Sequence, residues 1–281
     1  MSKVNLSQLK EQYEAEGYVI VRNVLDADLI SEAQSHIDWL LEKNPGLRPE
    51  QLDHHLITRD AFWVRLVHDD RLLDVAEVFL GPDLGLFASH YIVKPPFTGK
   101  AVPWHQDGSY WPLDPMEVIT VWLAVDRSDE ENGCMKVIPG THKDNLMALD
   151  DYVPQTDENA FEIAMDPETV DESKAVSLIL NPGDISIHHP NITHGSHTNT
   201  SPRWRRGLTI RYIPTYTRIT RALPHPAAFI LRGQGYANGN GWNPLPSSNQ
   251  ETSMSFSGKE AWDEKVAVEN ARNSEVFAQP A

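Results

Sequence analysis

Up to about residue 82 the apolar positions recur at helical spacing, and from about residue 85 they fall into short β-rich runs separated by turn residues. Residues 6–16 are good helix formers and stop at Gly17, a C-cap, after which Tyr18-Val19-Ile20-Val21 reads as a short buried strand. Asp26 is the N-cap of a helix over 27–43 that sets Leu29, Ile30, Ala33, Ile37, Leu40 and Leu41 on one face, and Asn44-Pro45-Gly46 ends it. Two shorter helices are expected near 60–67 and 70–80, the second closed by Gly81-Pro82. Strands are expected near 85–93, 101–107, 117–125, 134–138, 174–180, 184–189, 193–198 and 205–213. Turns fall at Asn132-Gly133 and Asn181-Pro182-Gly183-Asp184. Short strands at this spacing predict a mainly β sandwich or barrel with the N-terminal helices packed outside.

Residues 143–173 break the rhythm, with ten acidic side chains against one base, Lys143, and no periodicity. Such a stretch is a lid or a solvated insertion. Residues 233–258, rich in Gly, Asn, Ser and Pro, are expected to be irregular, and 259–273 to form a last helix. No repeat and no internal boundary is visible. The chain therefore reads as one domain over 1–281: a helical part to about 82, a β core over about 83–215 and an irregular extension over 216–281.

The net charge of -16 argues against nucleic acid or an anionic membrane as the main partner. The lone Cys134 excludes an intrachain disulfide and a thiolate zinc cluster, and suits a reducing cytoplasm. Neither a signal peptide nor an apolar run of the ~20 residues needed to span a bilayer is present, so a cytoplasmic protein is expected.

Twelve histidines leave imidazole ligation open. His-x-Asp occurs at His36/Asp38, His68/Asp70, His105/Asp107 and His142/Asp144. The first lies in a helical pattern that points the two side chains apart, the second between helices, and the fourth after Pro139-Gly140 at a strand end. Only Trp104-His105-Gln106-Asp107-Gly108 is in an extended context, where alternation sends His105 and Asp107 to one side of a strand. With a second histidine they would form the 2-His-1-carboxylate triad of non-heme Fe(II) oxygenases. Four candidates follow, His188, His189, His194 and His197, and position alone does not choose among them. The histidines at 36, 54, 55 and 68 read as surface or packing residues. A 2-oxoglutarate cosubstrate would need a buried arginine for its distal carboxylate. Along 205–212 one face carries Arg206, Leu208, Ile210 and Tyr212, a packing surface, and the other carries Arg205, Gly207, Thr209 and Arg211, with small residues that leave room for a ligand. That favours Arg205 over Arg206, although a one-residue slip would exchange the faces.

Over roughly residues 10–220 the chain resembles the phytanoyl-CoA dioxygenase family of Fe(II)/2-oxoglutarate oxygenases. The resemblance rests on Lys94-Pro95-Pro96, His105-Gln106-Asp107, Asn132-Gly133-Cys134 leading to Ile138-Pro139-Gly140-Thr141-His142, and His194-Gly195-Ser196 with an arginine eleven residues on. It implies a double-stranded β-helix (jelly-roll) core. It also implies His194 as the third metal ligand, Arg205 as the carboxylate clamp, Ser196 as its hydroxyl partner, Trp122 against the cosubstrate and His90 within reach of it. His188, His189, His197 and His142 match no ligand position. The implied cofactors are Fe(II), 2-oxoglutarate and O₂, and the implied reaction releases succinate and CO₂ while hydroxylating a C–H bond of a small molecule. Relatives that halogenate carry a small residue in place of the metal-binding carboxylate, so Asp107 points to hydroxylation. The competing reading is a metal-containing β-barrel that binds or senses a small molecule without turnover. Substrate contacts are open: Trp104, Tyr110, Trp111 and Trp204 could line a pocket, and Arg203, Arg206, Arg211, Arg218 and Arg221 could meet an anion.

Overall fold

Capping sets the helical part. In a computed structural model that describes residues 6–53, 55–156, 159–220, 227–236, 239–248 and 252–277, α1 (Leu6–Glu16) gives way to β1 (Tyr18–Val21) at Gly17. Its φ of 83° is the left-handed conformation that favours glycine. The Asp26 carboxylate accepts from Leu29 N at 2.9 Å to start α2 (Ala27–Lys43). Asp60 caps α3 (Ala61–Val67) by accepting from Trp63 N at 3.0 Å, and Asp69 caps α4 (Asp70–Leu80). His36 has the expected packing role: it is buried on α2, with ring nitrogens 2.7 Å from Asp60 Oδ2 and 2.8 Å from Tyr91 Oη. His55 is exposed, and His54 and Arg221 lie outside the described residues.

The β part is built on two large antiparallel sheets, with two-stranded ladders pairing Leu113–Asp114 with Arg218–Ile219 and Val153–Pro154 with Ile163–Ala164 outside them. Besides β1, the strands of the two large sheets are β2 (Leu84–Lys94), β3 (Val102–His105), β4 (Ile119–Ala124), β5 (Lys136–Val137), β6 (Val176–Ser177), β7 (Ile185–His188), β8 (His194–Ser196), β9 (Arg205–Pro214) and β10 (Phe229–Arg232). The larger sheet runs β1-β7-β4-β9-β2-β10 and the smaller β3-β8-β5-β6. This is the jelly-roll arrangement, with the helices covering the outer face of the larger sheet. Period-two alternation decides which side chains go where. Val121 and Leu123 of β4, Ile185 and Ile187 of β7, and Leu208, Ile210 and Tyr212 of β9 pack with Leu29, Ile37, Phe62, Leu72 and Trp262 in one large core. The alternate residues face the smaller sheet, where Trp122 and Ala124 join Met135, Val137, Leu178, Leu180 and Ile192. A fourteen-residue helix, α5 (Lys259–Arg272), closes over the same large core through Trp262 and Val266.

Three expectations are corrected. The strand expected over 101–107 stops at His105, and Asp107–Tyr110 is a 3-10 turn. The strands expected over 134–138 and 174–180 shrink to two residues each, since beyond the ladder only single bonds persist, such as Leu178 N to Met135 O at 2.8 Å. The extension over 216–281 is not all irregular, because Phe229–Arg232 adds an edge strand to the larger sheet. The apolar run Ala227-Ala228-Phe229-Ile230-Leu231 is the signal that could have announced it. Among the described residues no helix is long and apolar enough to cross a membrane.

Candidate active site

His105 ends β3 and His194 begins β8, and the two are register partners across the smaller sheet. Their rings lie 4.1 Å apart between centroids. Each ring is oriented by its own backbone: His105 Nδ1 is 2.8 Å from Pro103 O and His194 Nδ1 is 3.0 Å from Ile192 O. A carbonyl only accepts, so each Nδ1 carries the proton and each Nε2 is left as a lone-pair donor. The 3-10 turn after β3 brings Asp107 back beside them, its Oδ1 3.7 Å from His105 Nε2. His105, Asp107 and His194 each offer a ligand atom within 4.8 Å of the others, and all three are buried. Two neutral imidazoles and a carboxylate on one side of a cavity are the donor set of a facial triad, so the residues fit a ferrous ion. Between the two residues of the motif, Gln106 points away and joins separate segments: its Oε1 accepts from Met147 N at 2.9 Å and its Nε2 donates to Asn191 O at 2.8 Å.

Burial by itself would raise the Asp107 carboxyl. The Arg211 charge and the neighbouring His105, His188 and His194 outweigh it and hold Asp107 well below the usual carboxylate range. Thr120 Oγ1 donates to Asp107 Oδ2 at 3.2 Å. His194 is pushed well below the ordinary imidazole value by burial and by His105 and His188.

The same cavity, partly open to solvent, reaches Trp122, Ser196 and Arg205. Arg205 is only 1% exposed. Its one hydrogen bond is a long one, Nη1 to Ile92 O at 3.5 Å, and Nε and Nη2 have no partner. Burial lowers its pKa to about 10. A buried guanidinium with an unmatched Nε–Nη2 edge fits a carboxylate taken up bidentately. Trp122 lies against it, 5.5 Å from Cζ to ring centre. Ser196 is beside it, but its Oγ accepts from Lys94 Nζ at 2.7 Å. Arg206 faces the other way, with Nε 2.7 Å from Asp126 Oδ2. A roomier surface groove along Asn23–Gln34 and Pro182 holds no comparable group of converging donors.

His90 is not on the cavity wall; it stands behind Arg211, with Nδ1 2.6 Å from Nη1. Trp204 is 40% exposed, Arg203 is paired with Asp129 and Glu131, and Arg218 is on the surface, so none of these lines the cavity. The acidic segment does reach it: Phe161 packs on His105 at 4.7 Å, and the Tyr152 hydroxyl lies 3.1 Å from both Gln106 N and Ser109 Oγ. Three groups at the site were named in the sequence without a settled role there: His188 as one of four candidate histidines, Arg211 as one of five arginines that could meet an anion, and Lys94 within the Lys94-Pro95-Pro96 motif. His188 lines the cavity with Nε2 3.6 Å from Asp107 Oδ2, Arg211 lines it from β9, and Lys94, 1% exposed, supports Ser196. Of these only Arg211 carried a signal of facing the cavity, its place on the Arg205 face.

A jelly roll with a buried His-Asp-His group at a cavity between its sheets has the architecture of a non-heme iron oxygenase. The chain belongs to the phytanoyl-CoA dioxygenase (PhyH) family, whose model matches residues 13–207. The peroxisomal phytanoyl-CoA dioxygenase of Bos taurus is 33% identical over 146 residues, 50% of this chain and 43% of that protein. The alignment thus spans less than half of that relative. Among solved structures, the non-heme monooxygenase ThoJ in its apo form superposes with a TM-score of 0.70 at 23% identity, covering 96% of this chain and 97% of that one. SnoN, a non-heme alpha ketoglutarate dependent epimerase from nogalamycin biosynthesis, gives 0.64 at 22% identity, covering 82% and 96%. At these identities the superpositions speak for the fold.

Proposed function

We propose that this chain hydroxylates an unactivated C–H bond of a small molecule, with His105, Asp107 and His194 holding Fe(II) and Arg205 gripping the distal carboxylate of 2-oxoglutarate. The observation that carries the reading is the pairing within one cavity of a His-Asp-His group and a buried guanidinium that has no acid of its own. When bound, iron, 2-oxoglutarate and O₂ supply the oxidation: the diacid becomes succinate and CO₂, one oxygen atom enters succinate and the other converts R–H to R–OH.

The protein's own residues orient and exclude. The backbone carbonyls of Pro103 and Ile192 keep His105 and His194 in the tautomer that offers Nε2. The Thr120 hydroxyl engages Asp107 Oδ2 and leaves Oδ1, the oxygen near His105 Nε2, for the metal. Trp122 forms a wall that fixes the plane of the Arg205 guanidinium, and Ser196, held by Lys94, adds a hydroxyl next to it. Phe161 and the acidic segment shield the mouth from water. Residues 1–281 are taken as one domain, since α1 at one end and α5 at the other contribute to a common core.

The test is succinate formation from 2-oxoglutarate by protein loaded with Fe(II), exposed to O₂ and offered a panel of small molecules. Wild-type protein is expected to form succinate, with hydroxylated product when the panel contains a substrate. Asp107→Ala is expected to lose more than about a hundredfold of that rate, because the metal loses the only anionic ligand the protein supplies. A wild type that binds Fe(II) and 2-oxoglutarate but never forms succinate would make the chain a binder or sensor. Succinate with an isomerised product would assign it a SnoN-like outcome.

A further inference from the structure

Two arginines on β9 face the cavity. Arg205 is register partner of Lys94 at one end of the strand, and Arg211 is partner of Ala88 and of Thr120 toward the other. Thr120 is the residue that donates to Asp107, so the candidate metal group lies level with Arg211. Six residues of strand, ~20 Å of backbone, separate the two arginines at their Cα atoms. A 2-oxoglutarate stretched from the metal to Arg205 therefore runs away from Arg211.

The Arg211 guanidinium is buried and held from behind. Nη1 is 2.6 Å from His90 Nδ1 and donates to Thr209 Oγ1 at 2.9 Å, and the group stacks 5.2 Å from the centre of the Trp111 ring. Its other edge is only partly matched. Nε has no partner, and Nη2 stands 3.7 Å from Asp107 Oδ1, an ion-pair distance beyond hydrogen bonding. On Arg205 both Nε and Nη2 lack partners, whereas on Arg211 Nε alone does and Nη2 is loosely paired with Asp107. The cavity is thus built with two forks, and the diacid cosubstrate uses one.

Charge gives an independent argument. Among the described residues lining the cavity, Asp107 is the only acid and Arg205 and Arg211 are the fixed cations. With Fe(II) and dianionic 2-oxoglutarate added, the sum is one positive charge, which a single anion would neutralise.

We infer that Arg211 is the recognition residue for the substrate, and that the substrate carries an oxyanion, a carboxylate or a phospho group, a few bonds from the carbon that reacts. This rests on the function proposed above. The short distance from Nη2 to a metal-binding carboxylate requires the anion to be close to the reacting centre, and Phe161 on the cavity wall gives the rest of a small molecule apolar surface to lie on.

The experiment is calorimetry on protein loaded with Fe(II) and saturated with 2-oxoglutarate under anaerobic conditions. The probes are propionate, methylphosphonate and inorganic phosphate, with propionamide and dimethyl methylphosphonate as neutral counterparts. At least one oxyanion is expected to bind and its neutral counterpart not to; carboxylate or phospho preference then identifies the head group. Arg211→Met should weaken that binding by about tenfold to a hundredfold, the loss of a charge-assisted pair, while 2-oxoglutarate affinity stays within a few-fold. Arg211→Lys, which keeps the charge and loses the fork, should fall between. Arg205→Met should do the reverse, losing 2-oxoglutarate. The inference is overturned if 2-oxoglutarate binds and no oxyanion does, if oxyanion binding survives Arg211→Met and Arg211→Lys unchanged, or if either variant loses 2-oxoglutarate instead. A wild type that fails to bind 2-oxoglutarate at all would remove the proposed function itself, and this inference with it.

Discussion

Asp107 stands within 3.7 Å of polar atoms on His105, His188 and Arg211, and accepts a hydrogen bond from Thr120. So many partners around one carboxylate make the assignment of the nearby imidazoles a question of which ring is aimed at the centre. His188 is close enough to be mistaken for a ligand, but both its nitrogens lack partners and no backbone carbonyl fixes its tautomer. His194 has that fixture. We therefore expect His194→Ala to abolish stoichiometric iron binding under anaerobic loading, and His188→Ala to retain it within about tenfold in affinity, the scale of a neighbour that tunes the ligands. The reverse order in an iron titration would exchange the two roles. At this scale the motif His105-Gln106-Asp107 was legible because the spacing is local, even though Asp107 reaches its place by a turn and not along a strand. That His188, Arg211 and Lys94 come together at the site was not legible, since their proximity follows from pairing between strands far apart in sequence.

The two faces of β9 show how one strand serves packing and chemistry together. The reading that put Arg206, Leu208, Ile210 and Tyr212 on one side and Arg205, Gly207, Thr209 and Arg211 on the other agrees with the structure, because a period of two leaves only the register to be found. Gly207 is the position where this matters most. A Cβ there would overlap Trp122 Cζ2 and come within 2.6 Å of Cη2, so the ring could not keep its place beside Arg205. Gly207→Ala is expected to cost about 1–3 kcal/mol in stability, as overpacking does, and to weaken 2-oxoglutarate binding about tenfold by displacing the Trp122 wall. Thermal unfolding and a 2-oxoglutarate titration check the two parts, and unchanged values in both would mean that the wall is soft. The helices were legible to within a residue from caps and periodicity. The strands of the smaller sheet were legible in place but not in extent, because strands of two to four residues have too few alternations to mark their ends.

For the molecule as a whole, acid sensitivity between neutral pH and about 4 is set by buried histidines more than by carboxylates. His68 and His189 are both pushed down from 6.5 to about 4, His68 by burial and the nearby Lys265, His189 by burial and by His142 and His188. In the unfolded chain each takes a proton near pH 6.5, whereas the folded chain resists until about 4. Their contribution is fully present above about pH 6.5 and is lost as the pH falls toward 4, about 3 kcal/mol each at the limit. Acidification also reduces a net charge of -16, and that relief of self-repulsion works in the opposite direction. Comparing variants separates the two effects. His68 has no hydrogen-bond partner on either ring nitrogen and packs edge-on against Trp262 of α5, so a phenyl ring can occupy its place. His68→Phe removes the titration and leaves the rest of the charge pattern alone. Between pH 7 and pH 5 its thermal midpoint should fall less than that of the wild type, by a margin worth about 2 kcal/mol, or roughly 4 °C for a chain of this size. Parallel curves would show that His68 is protonated equally in both states, and that the link from the end of α3 to the C-terminal helix is not where acid acts.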